Sequence, residues 1–281
     1  MRKNLFIAGG YAAFFLVSFV VSFYFTFDPT HIVGGLLTSL SQDQGYELDL
    51  PSQIDKYRLS GIEAENVSIR PANFKNPIKF DFLQARLSLL PLILGRRSIG
   101  FKVRLYDGQV TGKVMDSKKN FSAEVDIKNL DLSRMTPPKE NSLWPAAKLN
   151  AKGDLSMSPK DDPKKWRGSL KAAFGEGKLS AFSYMGFNVP EIKMQGADLD
   201  VRIAGGRAEI KTLELKSPDL PFNGTGDITM QAPLSQSQVK IEAKINPSNA
   251  FMEQVPALKA LPPDKTVRYN GGLGPILGTG M

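Results

Sequence analysis

The sequence has no cysteine and only one histidine, and these absences remove several kinds of chemistry. Without thiols the chain can form no disulfide, no thiolate zinc site and no iron–sulfur cluster, and it has no cysteine nucleophile. His31 alone cannot build a multi-histidine metal site, and its position just after a long apolar run favours an interfacial residue. Walker and G-x-S-x-G sequences are also missing. We therefore expect no enzyme, no cofactor and no metal.

Charge of one sign is never concentrated along the chain. There are 36 Lys and Arg residues against 28 Asp and Glu, a formal net charge of +8, but no run of like charges reaches five residues. A nucleic-acid-binding domain usually gathers its basic residues on one face or along one helix. Interleaved charges are typical of solvated strand faces, so we do not expect nucleic acid as a partner.

One long apolar run is present near the N-terminus. Leu5–Phe27 contains 23 consecutive residues without a charge, and a bilayer core about 30 Å thick needs roughly 20 helical residues. Arg2 and Lys3 precede the run, and positive charge on a short flank favours a cytoplasmic location for that flank. The sequence predicts a cytoplasmic N-terminus at residues 1–4, a transmembrane anchor at 5–27 and export of residues 28–281.

A cleaved signal peptide is the alternative interpretation of this run. The apolar region of a signal peptide spans about 7–15 residues and ends in a small-residue cleavage site. Here the run is longer, and Phe25, Thr26 and Phe27 occupy the place of the cleavage site. We expect the segment to be retained as an anchor.

An amphipathic helix is predicted directly after the anchor, over residues 28–45. Asp28 is a good N-cap, Pro29 suits the first helical position, and Gly45 is a plausible stop. The helix has one apolar stripe at helical spacing, formed by Ile32, Val33, Leu36, Leu37 and Leu40. We expect this stripe to cap a β-sheet core; lying on the membrane surface is the alternative.

From residue 46 onward the hydrophobic period changes from 3.6 to 2. Apolar residues alternate with charged ones in several runs, of which the clearest are Phe101–Leu105, Val125–Ile127, Ala197–Ile203 and Val239–Ile245. One apolar and one charged face per strand indicates an antiparallel sheet with one solvated side. The fold class predicted for residues 46–281 is mainly β, a long antiparallel meander that forms either a curved sheet or a sandwich.

Glycines punctuate these runs and predict the turns of the meander. We place turns at Asp107-Gly108, Gly175-Glu176-Gly177, Gly205-Gly206 and Asn223-Gly224. One break in the alternation lies inside a run: Ala208 and Ile210 have the opposite parity to Leu213 and Leu215. A single extra residue near Thr212 would restore the register, so we predict a β-bulge there.

Two segments are predicted to connect strands. Leu89–Leu94 is apolar but too short to span a membrane, so we expect a short helical turn or a buried connector; an exposed patch that touches a membrane or a partner is the alternative.

A proline-rich connector covers about residues 135–166, around a strand at Lys148–Met157. Alternation is the same on both sides of it, which favours one continuous β-structure, closed by an edge strand near Gly271-Gly272.

Two pairs of carboxylates are the candidate acid–base groups of the sequence. Glu63 and Glu65, and likewise Asp198 and Asp200, share a strand face at period-2 spacing. General acid–base catalysis needs carboxylates in differing, partly desolvated environments. These lie on predicted solvent faces among Lys and Arg, so we expect a solvating role and assign no catalytic, cofactor-binding or metal residue.

The order of features resembles a known family. The features are the anchor with Asp28-Pro29, then Leu59–Ile69 (LSGIEAENVSI), Leu87–Arg96 (LSLLPLILGR), Leu105–Gly112 (LYDGQVTG), Leu234–Val239 (LSQSQV) and Tyr269–Pro275 (YNGGLGP). The sequence resembles the type II secretion system protein N family in its delta-proteobacterial form, which in turn is similar to AsmA-like proteins. The motifs are turn-and-strand patterns, and no functional residue can be carried over from them.

The resemblance implies a single-pass protein of a bacterial inner membrane, with its β-domain in the periplasm and its N-terminus in the cytoplasm. It implies an accessory or scaffold component of type II protein secretion whose partners are other secretion-system subunits. The alternative is an AsmA-like lipid-binding or lipid-transfer protein, whose partners are phospholipid or lipopolysaccharide acyl chains. The two hypotheses differ in whether the apolar strand faces are sealed or line an open trough.

Overall fold

The computed structural model describes residues 47–49, 54–58, 60–70, 76–88, 90–91, 95–136, 143–159, 162–184, 187–231, 236–260, 262 and 265–272. The anchor expected at Leu5–Phe27, the amphipathic helix expected at 28–45, and His31 lie outside these residues. Within the described ranges, no helix combines the length and the apolar character needed to cross a membrane.

The described chain is almost entirely β-structure, as the alternating pattern predicts. In chain order its strands are β1 Glu47–Asp49, β2 Asp55–Tyr57, β3 Gly61–Arg70, β4 Ile78–Leu87, β5 Arg97–Leu105, β6 Gly108–Asp116, β7 Phe121–Asp131, β8 Pro145–Met157, β9 Arg167–Leu179, β10 Phe182–Tyr184, β11 Phe187–Val189, β12 Ile192–Met194, β13 Gly196–Ala204, β14 Arg207–Lys216, β15 Phe222–Thr229, β16 Gln238–Ile245 and β17 Thr266–Gly272.

Fifteen of these strands form one antiparallel meander sheet, in the order β1-β3-β4-β5-β6-β7-β8-β9-β13-β14-β15-β16-β17. β2 also pairs with β3, and β12 also pairs with β9. Only β10 and β11 stand apart, as a two-stranded hairpin. The sheet runs without interruption through β8, so the proline-rich region does not divide it.

Within the residues that the structure describes, helical structure is limited to short segments between strands. The α-helix α1 spans Asn249–Gln254, and Ser248 caps it by accepting a hydrogen bond from the backbone N–H of Phe251 at 3.2 Å. The 3₁₀ turns span Leu132–Arg134, Pro163–Lys165 and Pro256–Ala260. We call the end of the sheet that carries α1 the helix end, and the end with the Gly205-Gly206 turn the hairpin end.

Strand register keeps apolar residues on one face and charged residues on the other. Val239 and Ile241 pair with Ile228 and Gly226 of β15, whereas Lys240 pairs with Asp227. Because directly paired residues point to the same side of a sheet, the alternation of each strand extends across its neighbours. We call the two sides the apolar face and the charged face.

The β-bulge expected near Thr212 is confirmed. Ile210 pairs with Gly226 and Leu213 with Gly224, so β14 has one extra residue between these pairs, and the extra residue brings Leu213 to the apolar face. Further irregularities interrupt the pairing of β7 with β8 and of β8 with β9.

Two of the four predicted glycine turns are wrong. Gly175-Glu176-Gly177 lies inside β9, and Asn223-Gly224 lies inside β15; the turns at Asp107-Gly108 and Gly205-Gly206 are confirmed. Inside a strand, glycine serves close packing instead of chain reversal. A Cβ on Gly224 would come 3.0 Å from both Ala243 Cβ and the backbone oxygen of Glu242.

The predicted strand Lys148–Met157 is confirmed and begins earlier, at Pro145. The β4–β5 connector is described only at residues 88, 90–91 and 95–96, of which Leu90 and Pro91 are helical. The burial expected for this segment is not observed at Leu90, whose side chain is 75% exposed.

Two hydrophobic clusters occupy the helix end of the apolar face. One joins buried residues of β8, β12 and β14 to α1 and its C-cap: Ala147, Ile192, Met194, Leu215, Phe251 and Val255. The other joins β5 to the β7–β8 connection through Val103, Leu105, Leu130 and Leu132. The indole N–H of Trp144, just before β8, donates to the carbonyl of Leu132, just after β7, at 3.1 Å.

Candidate apolar binding surface

The scaffold and lipid-binding hypotheses differ in whether the apolar side chains of the strands form a sealed core or line an open trough. The side chains that decide between them all lie on one face of the sheet. Strand register places them together on the apolar face, as the alternation predicts: Phe101, Val103, Leu105, Val201, Ile203, Val239 and Ile241. Three of the seven are buried, with Val103, Leu105 and Val239 exposing 9%, 5% and 1%; the other four are half-buried. The face is therefore sealed in places and accessible in others.

A continuous row of residues crosses the apolar face from β4 to β17. In register order it consists of Ala85, Phe101, Gly112, Val125, Gly153, Leu170, Val201, Ile210, Gly226, Ile241 and Tyr269. Neighbouring strands are about 4.8 Å apart, so ten intervals make a path of roughly 50 Å. All eleven side chains lack a formal charge.

Large side chains in this row lie beside glycines. A Cβ on Gly153 would come 3.2 Å from Leu170 Cδ1, and a Cβ on Gly226 would come 3.1 Å from Ile241 Cγ1. Each bulky side chain thus fills the space that its glycine neighbour leaves free, and the apolar surface is flatter as a result. A low, continuous apolar surface suits a long flexible hydrocarbon better than a compact ligand.

The centre of the apolar face remains in contact with solvent. Leu170 is 37% exposed, and its neighbours on the same face, among them Ala172 and Leu199, are half-buried. Apart from the β10–β11 hairpin, every described strand belongs to the one sheet, so no second large sheet lies over these residues. A contiguous, accessible apolar surface on a protein usually marks a binding site.

The charged face is organised by ion pairs between neighbouring strands. Lys216 Nζ lies 2.8 Å from Asp198 Oδ2, and Lys171 Nζ lies 3.4 Å from Asp200 Oδ2. The hydrogen bond and charge of Asp198, with a smaller effect from Glu214, raise the pKa of Lys216 above its usual value. The two aspartates considered as acid–base candidates are thus paired with lysines.

The second pair of acid–base candidates, Glu63 and Glu65, lies on β3. Glu63 accepts a hydrogen bond from the side-chain amide of Gln84, and Glu65 is exposed on the same strand. A concavity of about 880 Å³ on the charged face is bordered by both acids and bases, including Arg202, Glu209 and Asp227. Because acidic and basic side chains are mixed in this lining, it is better suited to contact with water than to binding a ligand of one charge.

Within the described residues, no group of three or more His, Asp or Glu side chains is placed to hold a metal ion. No family model, curated protein or solved structure matches this chain. The function must therefore be argued from the face itself.

Sequence reasoning identified the apolar face but not its accessible centre. Leu170, Gly112 and Gly153 were not singled out, because their roles depend on which residues stand opposite them on neighbouring strands. Recurrent Gly residues at apolar positions of β6, β8 and β15 were the available signal, since glycine within a strand marks close approach.

Proposed function

We propose that this protein binds hydrocarbon chains of lipids on the apolar face of its sheet. The observation that carries the proposal is the row from Ala85 to Tyr269, uncharged along its whole length and accessible at Leu170. Burying apolar surface contributes about 25 cal/mol per Å², so a saturated chain laid along the row would gain substantially from leaving water.

Dimensions and chemistry support a lipid more than a small molecule. A fully extended 16-carbon chain is about 20 Å long, which is less than half of the roughly 50 Å path across the strands. Around the centre of the face the available contacts are aliphatic, so the surface would select for hydrocarbon and not for a particular head group. The proposal assigns no reaction and no cofactor to the chain.

Site-specific photocrosslinking tests this proposal directly. A benzoylphenylalanine at position 170 reports on the apolar face, and one at position 171 reports on the charged face of the same strand. We expect lipid adducts at 170 and none at 171, detected by mass spectrometry of the full-length protein purified from irradiated cells. Adducts at neither position, or equal adducts at both, would contradict the proposal.

A substitution adds a second test. Leu170→Glu places a carboxylate in the middle of the row, where a bound chain would have to desolvate it. We expect less lipid to co-purify with this variant than with the wild type, whereas Lys171→Glu on the charged face leaves the amount unchanged. Equal lipid content in all three proteins argues against binding on this face.

The proposed setting is a single-pass protein of a bacterial inner membrane, with the β-sheet in the periplasm. The support is the sequence of the N-terminal segment: the uncharged run Leu5–Phe27 and the preceding Arg2 and Lys3. An anchor of this kind would hold the apolar face near a source of lipid. A periplasmic alkaline phosphatase fusion after Met281, active only when exported, tests the orientation.

A second candidate function is that of an accessory scaffold of the type II secretion system. It is supported by the sequence resemblance and by the sheet edges, since β17 pairs on one side only, with β16, in the described sheet. Such edges are common pairing templates for other chains. Other secretion-system subunits are the partners proposed under this candidate.

Gene deletion separates the two candidates when combined with the Leu170→Glu variant. Under the scaffold hypothesis, deletion abolishes secretion of folded exoproteins and the variant restores it. Under the lipid hypothesis, the Leu170→Glu variant does not correct the defect of the deletion strain, because lipid binding on the apolar face is lost. Unchanged secretion in the deletion strain would exclude the scaffold role.

A further inference from the structure

A separate concavity lies on the charged face at the hairpin end, where β4 passes into β5. Its volume is about 500 Å³, and its lining includes Ser60, Arg86, Ser88, Leu90, Gly100 and Lys113. Unlike the other concavities of the charged face, it has basic but no acidic lining residues. That composition indicates recognition of an anion.

Strand register places the two cations on either side of a glycine. Arg86 pairs with Gly100, and Gly100 pairs with Lys113 on the next strand. The two cations are therefore roughly 10 Å apart at their Cα atoms, and a Cβ on Gly100 would meet nothing closer than 3.9 Å. The space above Gly100, between the side chains of Arg86 and Lys113, is therefore unoccupied.

Neither cation is neutralised by an ion pair within the described part of the chain. Arg86 and Lys113 are both exposed and take part in none of its salt bridges. The nearest carboxylate by register is Glu124, opposite Lys113. Arg97, at the start of β5, has the parity of Phe101 and pairs with Asp116, so it belongs to the other side of the sheet.

The frame around the concavity is fixed by hydrogen bonds. The Ser60 hydroxyl donates to the Leu87 carbonyl at 2.6 Å, and the Ser88 N–H donates to the Ser98 carbonyl at 2.8 Å. The Arg96 N–H donates to the Pro91 carbonyl at 2.9 Å. The basic side chains therefore project from a defined backbone.

The most exposed large apolar side chain of the described residues borders the same concavity. Leu90 is 75% exposed and lines the concavity together with Arg86 and Lys113. A surface that combines an apolar tip with two unpaired cations matches the boundary of an anionic bilayer, where apolar groups enter the acyl region and cations meet phosphates. A soluble anion would use the cations but gain nothing from Leu90.

We propose that the hairpin end of β4, β5 and β6 docks on the surface of a membrane that contains anionic phospholipid, with a lipid phosphate between Arg86 and Lys113 and with Leu90 inserted among the acyl chains. This contact involves the charged face and the hairpin end, so it is independent of hydrocarbon binding on the apolar face. Either function can fail without the other.

The absence of cysteine makes the experiment clean. Leu90→Cys introduces a unique thiol, which is labelled with an environment-sensitive fluorophore in the full-length protein. The labelled protein is reconstituted into vesicles of phosphatidylcholine alone or with 30% phosphatidylglycerol, each with doxyl-labelled lipid as quencher. We expect a blue-shifted, strongly quenched emission only with phosphatidylglycerol, and weakened by 0.5 M NaCl because salt screens surface charge.

A matched pair of substitutions at Gly100 tests the phosphate site. Gly100→Glu sets a carboxylate between the two cations, and Gly100→Gln occupies the same space without charge. We expect the glutamate variant to need at least threefold to fivefold more phosphatidylglycerol for half-maximal quenching, as expected for losing one or more basic contacts with the surface. The glutamine variant shows a smaller change.

Three results would overturn the proposal. They are a water-like emission of the label in phosphatidylglycerol vesicles, equal quenching in uncharged vesicles, and equal effects of the two Gly100 variants. A label at Asn270→Cys, exposed on the charged face at the far edge of the sheet, is the control for position; it should remain unquenched. Quenching equal to that at position 90 would show general adsorption in place of a defined docking site.

Discussion

The aromatic ring of Phe101 lies over Gly112 on the neighbouring strand. A Cβ on Gly112 would come 2.5 Å from Phe101 Cζ and 2.6 Å from the backbone oxygen of Glu124. The ring can rotate away, but the backbone of β7 cannot move without disturbing the ladder. The position therefore requires glycine, although its backbone is ordinary strand.

Gly112→Ala is expected to destabilise the protein by about 1–3 kcal/mol, the usual effect of adding an atom where there is no space. The measurement is urea unfolding of the purified protein. Gly100→Ala on the adjacent strand is the control, because its Cβ would meet open space; it should be neutral or stabilising by up to about 1 kcal/mol. Equal losses at both positions would refute the close packing of Phe101.

Because the centre of the apolar face is accessible to solvent, we expect side-chain truncation there to cost less stability than truncation in the buried clusters. Ile192 is 2% exposed beneath α1, in a cluster with Met194 and Leu215, so Ile192→Ala should cost about 2–5 kcal/mol. Leu170→Ala should cost less than about 1 kcal/mol, because that side chain is already partly in water. If Leu170→Ala proved as costly as Ile192→Ala, the centre of the face would be a packed core.

Local pattern was enough to predict the strands and the bulge. Alternation in Ala197–Ile203 and Val239–Ile245 survives in β13 and β16 because one face of each strand meets solvent. The parity change between Ile210 and Leu213 predicted the bulge correctly, since only an extra residue keeps both side chains on the apolar face.

Features that depend on neighbouring strands were not predictable in the same way. The local sequence around Gly224 predicts a turn, yet the residue lies inside a strand, where it leaves room for Ala243 on β16. The accessibility of Leu170 depends on how far α1 and the connections reach across the face, which alternation does not encode. Likewise, Arg86, Gly100 and Lys113 come together only through register.

The ion pair of Lys216 with Asp198 predicts a pH-dependent contribution to stability. The carboxylates of Asp198 and Glu214 raise the pKa of Lys216 in the folded state. The contribution is therefore fully present below the unfolded-state pKa of about 10.4 and is lost as pH rises through the higher folded-state pKa.

We expect Lys216→Met to reduce stability slightly at pH 7, since the pair is exposed, and the difference from wild type to shrink above about pH 10.4. Urea unfolding from pH 7 to 11 measures this. In an Asp198→Asn background the same substitution should have a smaller effect at pH 7. A difference that grows with alkaline pH would contradict the assignment.

The β14 bulge predicts that one deletion in the sheet is tolerated while another is not. Lys211 is the residue without a partner on β13, because Ile210 pairs with Val201 and Thr212 with Asp200. Removing Lys211 leaves Ile210 and Leu213 on the same face with regular alternation. Removing Lys240 from the regular strand β16 instead turns the residues on one side of the deletion to the charged face.

Deletion of Lys211 should therefore leave a cooperative thermal transition, displaced by only a few degrees, when β-structure is followed by circular dichroism. Deletion of Lys240 should lower the midpoint much further or abolish the transition, because Val239 or Ile241 would leave the apolar face. Lysine is lost in both cases, so the change in net charge is the same and cannot explain a difference. Comparable damage from the two deletions would mean that the bulge has a structural role of its own, beyond restoring the alternation of β14.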